Sequence, residues 1–203
     1  MKFLKQFSLY TFVGFLYAGI SVLLMPYISQ HIDPAGNAIL SMVNSIVTIY
    51  IQLMGVTAVG LITIEYYNYK NSFDFASFFS SVLLIPIIPG ILLLILSLIF
   101  AKDISAFLEI PTSKSYWVPI GYGIALLTIY TEVLFSYIII EQKPTLYAKI
   151  SIGKFLLEIS LTILLISVFK LGWEGRLLSW LITTIAISVL SFWYFSKKRA
   201  TYN

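Results

Sequence analysis

Lys154 and Glu158 stand one helical turn apart in "AKISIGKFLLEIS", Ala148 to Ser160, within a run that is otherwise apolar. With Glu132 they are the ionisable residues lying well inside long apolar runs. At the centre of a membrane helix an Asp or Lys costs roughly 2.5 to 3.5 kcal/mol even on insertion scales. Such groups therefore face a cavity or a partner. Measured from the run ends near Ile140 and Ile150, Glu132 and Glu158 each lie about 12 Å deep at the helical rise. Lys154 lies about 6 Å deep by the same measure, so its stem can snorkel to the nearer interface. Glu158 has no such reach. Gln52 and Tyr17 fall in the same slab, and Asn44 shares the Gln52 face. The expectation is a polar layer of Glu158, Glu132, Lys154, Gln52, Asn44 and Tyr17 lining a substrate or coupling cavity, with Lys154 as the nearest countercharge to the glutamates.

Carboxylates so placed suit the binding and release of a proton or a sodium ion, which is the chemistry of coupled transport. Enzyme chemistry has no comparable support. The one histidine, His31, falls in a loop, and no GxSxG, P-loop or HExxH pattern occurs. Cysteine is absent, which excludes disulfides, thiolate metal sites and Cys nucleophiles. No catalytic residue, metal site or bound cofactor is expected.

The elements that must carry these residues follow from composition. Of 203 residues, 59% are hydrophobic and 11% charged, with a mean hydropathy of +0.93. Soluble domains carry roughly 25% charged residues, so an all-α integral membrane protein is expected. About 20 apolar residues cross the hydrocarbon layer as a helix. Six such runs occur, at about 7–28, 37–62, 76–100, 117–140, 146–169 and 177–195. Short connections make neighbours antiparallel, giving one six-helix transmembrane bundle over 1–203. The first run is too long for the h-region of a secretory signal, and Ala18-Gly19 lies inside it, so it reads as a retained helix.

With both termini cytoplasmic, Lys2, Lys5, Lys70, Lys143, Lys149, Lys154, Lys197, Lys198 and Arg199 lie inside, against Lys102, Lys114, Lys170 and Arg176 outside. That bias is the positive-inside pattern. It accounts for most of the net charge of +4, so no nucleic-acid partner is implied. Asp33 and Pro34 in "HIDPAG" suit the cap and first turn of the second helix, and Pro144 in "EQKPTLY" opens the fifth. "YNYKNSFDF" and "AKDISAFLEIPTSKSYW" read as interfacial loops, and "DISAFLEI" as a short surface helix. Pro86 and Pro89 fall inside the third run, where a static kink is favoured over a hinge.

Steps of three and four align Ser41, Asn44, Thr48, Gln52 and Gly55 on the second helix, and Gly121, Ala125, Thr128, Glu132 and Ser136 on the fourth. Ser151, Lys154, Glu158 and Thr162 align on the fifth. For the Ser, Thr, Gly and Ala members, helix packing is the favoured role.

Three stretches resemble the polysaccharide biosynthesis proteins, the lipid-linked oligosaccharide flippases of the multidrug/oligosaccharidyl-lipid/polysaccharide exporter superfamily. They are "FSLYTFVGFLYAGISVLLMPYISQHIDPAGNAIL" with its LLxPxxxxxxxP pattern, "GLITIEYYNYKNSFDFASFFSSVLLI", and the closing part from "EQKPTLYAKISIGKFLLEIS" through the connector Lys170, Leu171, Gly172 and Gly175. The resemblance implies the amino-terminal six-helix lobe of a two-lobed transporter in a bacterial or archaeal cytoplasmic membrane. It further implies movement of undecaprenyl-pyrophosphate-linked oligosaccharides between leaflets by alternating access, with proton or sodium coupling. A second six-helix lobe or a homodimer would then be the partner, beside the lipid bilayer. Where that family carries basic residues for the pyrophosphate, this chain has Ala18 in the first helix and "ITIEYY" with Glu65 at the end of the second. The pyrophosphate would thus depend on Lys154, Lys149 or a second lobe. A non-transporting accessory bundle and a cation-coupled exporter of small solutes are the alternatives.

Overall fold

A computed structural model describes residues 2–69 and 75–202, with side chains other than those of 2–8, 16–21, 23, 56–57, 75–76, 79 and 197–202. Tyr17 is among the positions whose side chain lies outside the described set, as does the connection 70–74. The fold is all-α, and no strand occurs among the described residues. Its helices are α1 (Lys2–His31), α2 (Pro34–Tyr69), α3 (Phe75–Leu84), α4 (Ile87–Ile99), α5 (Ala101–Phe107), α6 (Trp117–Ile140), α7 (Pro144–Ile163) and α8 (Gly172–Tyr202). A single 3₁₀ turn, Thr112–Lys114, precedes α6, and a π turn, Leu164–Val168, extends α7.

Among the described residues five stretches are long and apolar enough to cross a membrane: Pro34–Tyr69, Ser80–Ile99, Thr112–Ile140, Pro144–Val168 and Gly172–Ser196. They coincide with the second to sixth expected runs. The first expected run falls on α1. The third is two helices, because Pro86 cannot donate to the Val82 carbonyl, which Ile85 N–H takes instead at 3.3 Å. The short helix expected over the connection that follows is present as α5.

Local chemistry sets the helix ends. The Asp33 carboxylate accepts from Gly36 N–H at 3.2 Å, the expected cap, with Pro34 opening α2. A Cβ on Gly36 would lie 2.7 Å from that Asp33 oxygen and 3.0 Å from Trp173, so the cap requires glycine. At the end of α6, Lys143 N–H reaches the Ile138 carbonyl and Gln142 N–H the Ile139 carbonyl. This paired closure needs a left-handed residue, and Gln142 supplies it with φ 55°. Glu109, φ 56°, closes α5 in the same way.

Contacts divide the chain into two compact units. The first comprises Met1–Leu40 and Ile138–Thr183. Here Tyr10 packs edge-on to Tyr147 at 5.1 Å, while the Tyr27 hydroxyl pairs with that of Ser167. Both partners advance together, so α1 and α7 run parallel. Gly175 lies against Leu165, and the Ser179 and Thr162 hydroxyls meet at 2.8 Å, so α8 returns antiparallel to α7.

The second unit comprises Ser41–Tyr137 and Thr184–Asn203. Its core is built on α6, whose Ile124, Ala125, Ile129, Val133 and Leu134 are fully buried. Tyr50 meets Tyr122, Gly55 meets Ile129 and Tyr66 meets Tyr137, so α2 runs parallel to α6. Ser188 and Ser191 on α8 donate to the Leu127 and Tyr130 carbonyls of α6, again a parallel pair. The α3–α4 arm runs opposite, with Gly90 against Tyr122 and the Leu83 carbonyl accepting from the Tyr130 hydroxyl at 3.2 Å.

Candidate functional site

Glu158 finds its countercharge on α8. Arg176 Nη2 lies 2.7 Å from Glu158 Oε1, so Arg176 is an ion-pair partner of this carboxylate. Sequence reasoning places Arg176 in an outer connection; it stands one turn inside α8 instead. Its long side chain crosses to α7. Nη1 donates to the Thr162 and Ser179 hydroxyl oxygens at 3.3 and 3.2 Å. Those hydroxyls also bond to the backbone, Thr162 to the Glu158 carbonyl and Ser179 to the Arg176 carbonyl, each at 2.7 Å.

This column lies within the first unit, and its geometry follows from close helix approach. A Cβ on Gly175 would fall 3.1 to 3.2 Å from the Leu165 backbone, where no side chain can move aside. Glycine there lets α8 lie against the π turn, and the left-handed Lys170 (φ 54°) and Gly172 (φ 55°) turn the chain into that approach. Three of the four connector residues that carry the family resemblance thus have a local backbone role. Thr162 and Ser179 are fully buried, whereas the side chains of Arg176 and Glu158 keep 24% and 13% of their exposure. A pair withdrawn this far from water holds because both ions are present, with hydroxyls on the cation.

The other expected site residues divide between the units. Lys154 is half-buried on α7 in the first unit with Glu158. Glu132, Gln52 and Asn44 belong to the second unit, and all three are exposed. On α2 the stripe Ser41, Asn44, Thr48 and Gln52, together with Ser45, forms an exposed polar face, while Gly55 is buried against Ile129. Gly55 has the packing role expected of this stripe. Because α2 and α6 are parallel, flanks of opposite rotation lie on one side of their seam. Asn44 and Thr48 on α2 share that side with Thr128 and Glu132 on α6. The Thr48 and Thr128 hydroxyls are occupied by carbonyls one turn back, at 2.8 and 2.7 Å.

Arg176, Ser179 and Thr183 escaped the sequence reading. The signal was available: their spacing of three and four puts them on one helical face, as it does Glu158 and Thr162 on α7. Among the described residues no cluster of His, Cys, Asp and Glu could hold a metal ion. Compared with models of protein families, with curated proteins and with solved structures, the chain gives no match.

Proposed function

We propose that this chain is one lobe of a membrane transporter of the lipid-linked oligosaccharide flippase type, acting by alternating access in a cytoplasmic membrane beside a second lobe or second copy. One observation carries the reading. Within helices apolar enough to cross a bilayer, α2 and α6 expose amide, hydroxyl and carboxylate groups at Asn44, Thr48, Gln52 and Glu132. Hydrocarbon is a poor solvent for such a face, and a cavity or a partner is a good one. In this reading Glu132 meets the coupling ion, and Gln52 and Asn44 the polar part of the cargo.

Translocation of lipid-linked oligosaccharide in a flippase-deficient strain tests the reading, with the chain alone and with a companion lobe. Wild type restores translocation, and Glu132→Gln and Gln52→Leu reduce it about tenfold or more at equal protein level. Failure to restore translocation in either setting sinks it. The Glu158–Arg176 pair favours a second reading, an accessory bundle whose charges neutralise each other and fix helix register. Under it, replacing both charges by apolar residues leaves assembly and cellular phenotype unchanged.

A further inference from the structure

Thr183 ends the polar column of the first unit with a hydroxyl that bonds to nothing among the described residues. The residue is fully buried. Helix threonines ordinarily donate to the carbonyl one turn back, as Thr128, Thr131 and Thr162 do here, and Thr183 does not. Its level on the helix gives the reason. Ser179 and Thr162 meet on antiparallel helices. One turn onward along α8 and one turn back along α7 bring Thr183 level with Glu158.

A buried hydroxyl with no protein partner, level with a carboxylate on the facing helix, is in the situation that internal water relieves by bonding to two to four polar groups. We infer that a water molecule is bound between α7 and α8 at this level, held by the Thr183 hydroxyl and the Glu158 carboxylate. If the residual exposure of Glu158 and Arg176 opens onto a water-filled cavity, it is the path by which this water exchanges. Glu158 thereby gains a neutral partner that can both donate and accept a proton, which Arg176 cannot do. The inference concerns the column itself and holds whether or not the chain moves a substrate.

Thr183→Val and Thr183→Ser test it by the sign of a thermal shift in lipid nanodiscs. Valine keeps the shape and removes the hydroxyl. If the hydroxyl holds water, Thr183→Val lowers the melting temperature by about 2 to 4 °C, while Thr183→Ser lowers it by less. A rise for Thr183→Val overturns the inference, because an unbonded buried hydroxyl is improved by a methyl group. A second arm uses the absence of native cysteine. A charged methanethiosulfonate reagent is applied to Glu158→Cys and to Leu156→Cys, whose native leucine is 57% exposed. About tenfold faster reaction at position 158 supports water at the carboxylate, and equally slow reaction at both overturns it. Faster reaction at 156 refutes the membrane setting proposed above, and the Thr183→Val sign then still decides the water.

Discussion

Arg176 spans the gap between α8 and α7 to meet Glu158, so its removal strands a carboxylate that keeps only 13% of its side-chain exposure. Arg176→Met is expected to cost about 3 kcal/mol of stability, within the range for breaking such a pair. Adding Glu158→Leu should recover most of that loss, because two apolar residues of similar size replace a pair whose desolvation offsets much of its attraction. Denaturant unfolding in mild detergent of both single variants and the double variant reads the coupling. Equal losses that simply add would refute the pairing. Gly175→Ala belongs to the same scale: its methyl group meets Leu165 backbone atoms at 3.1 to 3.2 Å, and an expected cost of about 1 to 3 kcal/mol follows from overpacking. The sequence made Glu158 legible, since a carboxylate deep in an apolar run stands out. It hid Arg176, because an arginine near a helix start resembles a topology charge and only the facing helix reveals where its head goes.

Three elements end in left-handed residues that are not glycine, Glu109, Gln142 and Lys170, and the third span is interrupted where Pro86 lacks an N–H. Gln142 closes α6 at φ 55° with a side chain that gains nothing from that conformation. Gln142→Gly is therefore expected to raise stability by up to about 1 kcal/mol, since a left-handed conformation costs an L-residue roughly 1 to 2 kcal/mol and glycine gives part of that back as chain entropy. Unchanged or lower stability in thermal unfolding would contradict the closure described. At the Pro86 break the Tyr130 hydroxyl donates to the Leu83 carbonyl. Tyr130→Phe should cost about 1 kcal/mol, the net worth of a hydrogen bond to a half-buried acceptor. Protease sensitivity confined to α3 and α4 would locate the effect. The Asp33–Pro34 start and the proline interruption were both readable, because each depends on residues within one turn. The π turn was not: it depends on Gly175 of the next helix lying against Leu165, and no local pattern reports a neighbour's approach.

At the scale of the whole chain, the direction of each helix carries the membrane proposal further than composition does. In the second unit α2, α6 and α8 are parallel, so they point to one side; just past α6, within the first unit, Lys143 pairs with Glu141 at 2.7 Å. In the first unit α1 and α7 are parallel, so their starts share a side, as do their ends beside His31 and Lys170. Within each unit these directions are those expected when short connections make neighbouring helices antiparallel. The second to sixth apolar runs were readable because apolar length is a local sum. The parallel neighbours were not, since they are set by small contacts such as Gly55 on Ile129. Alkaline phosphatase fused after Gln142 or after Tyr202 is expected to be inactive in cells, and the same enzyme inserted after Glu109 or after Lys170 active. The contrast should be at least about tenfold, because the enzyme folds only outside the cytoplasm, where its disulfides form. The mirror-image pattern would reverse the orientation while keeping the spans. Uniformly low activity at all four positions would remove the membrane from the proposal, and transport with it. An active fusion after Lys170 joined to an inactive one after Tyr202 would place α8 across the bilayer, with Arg176 entering from the outer side and reaching inward to Glu158 against the usual outward pull on a charged head.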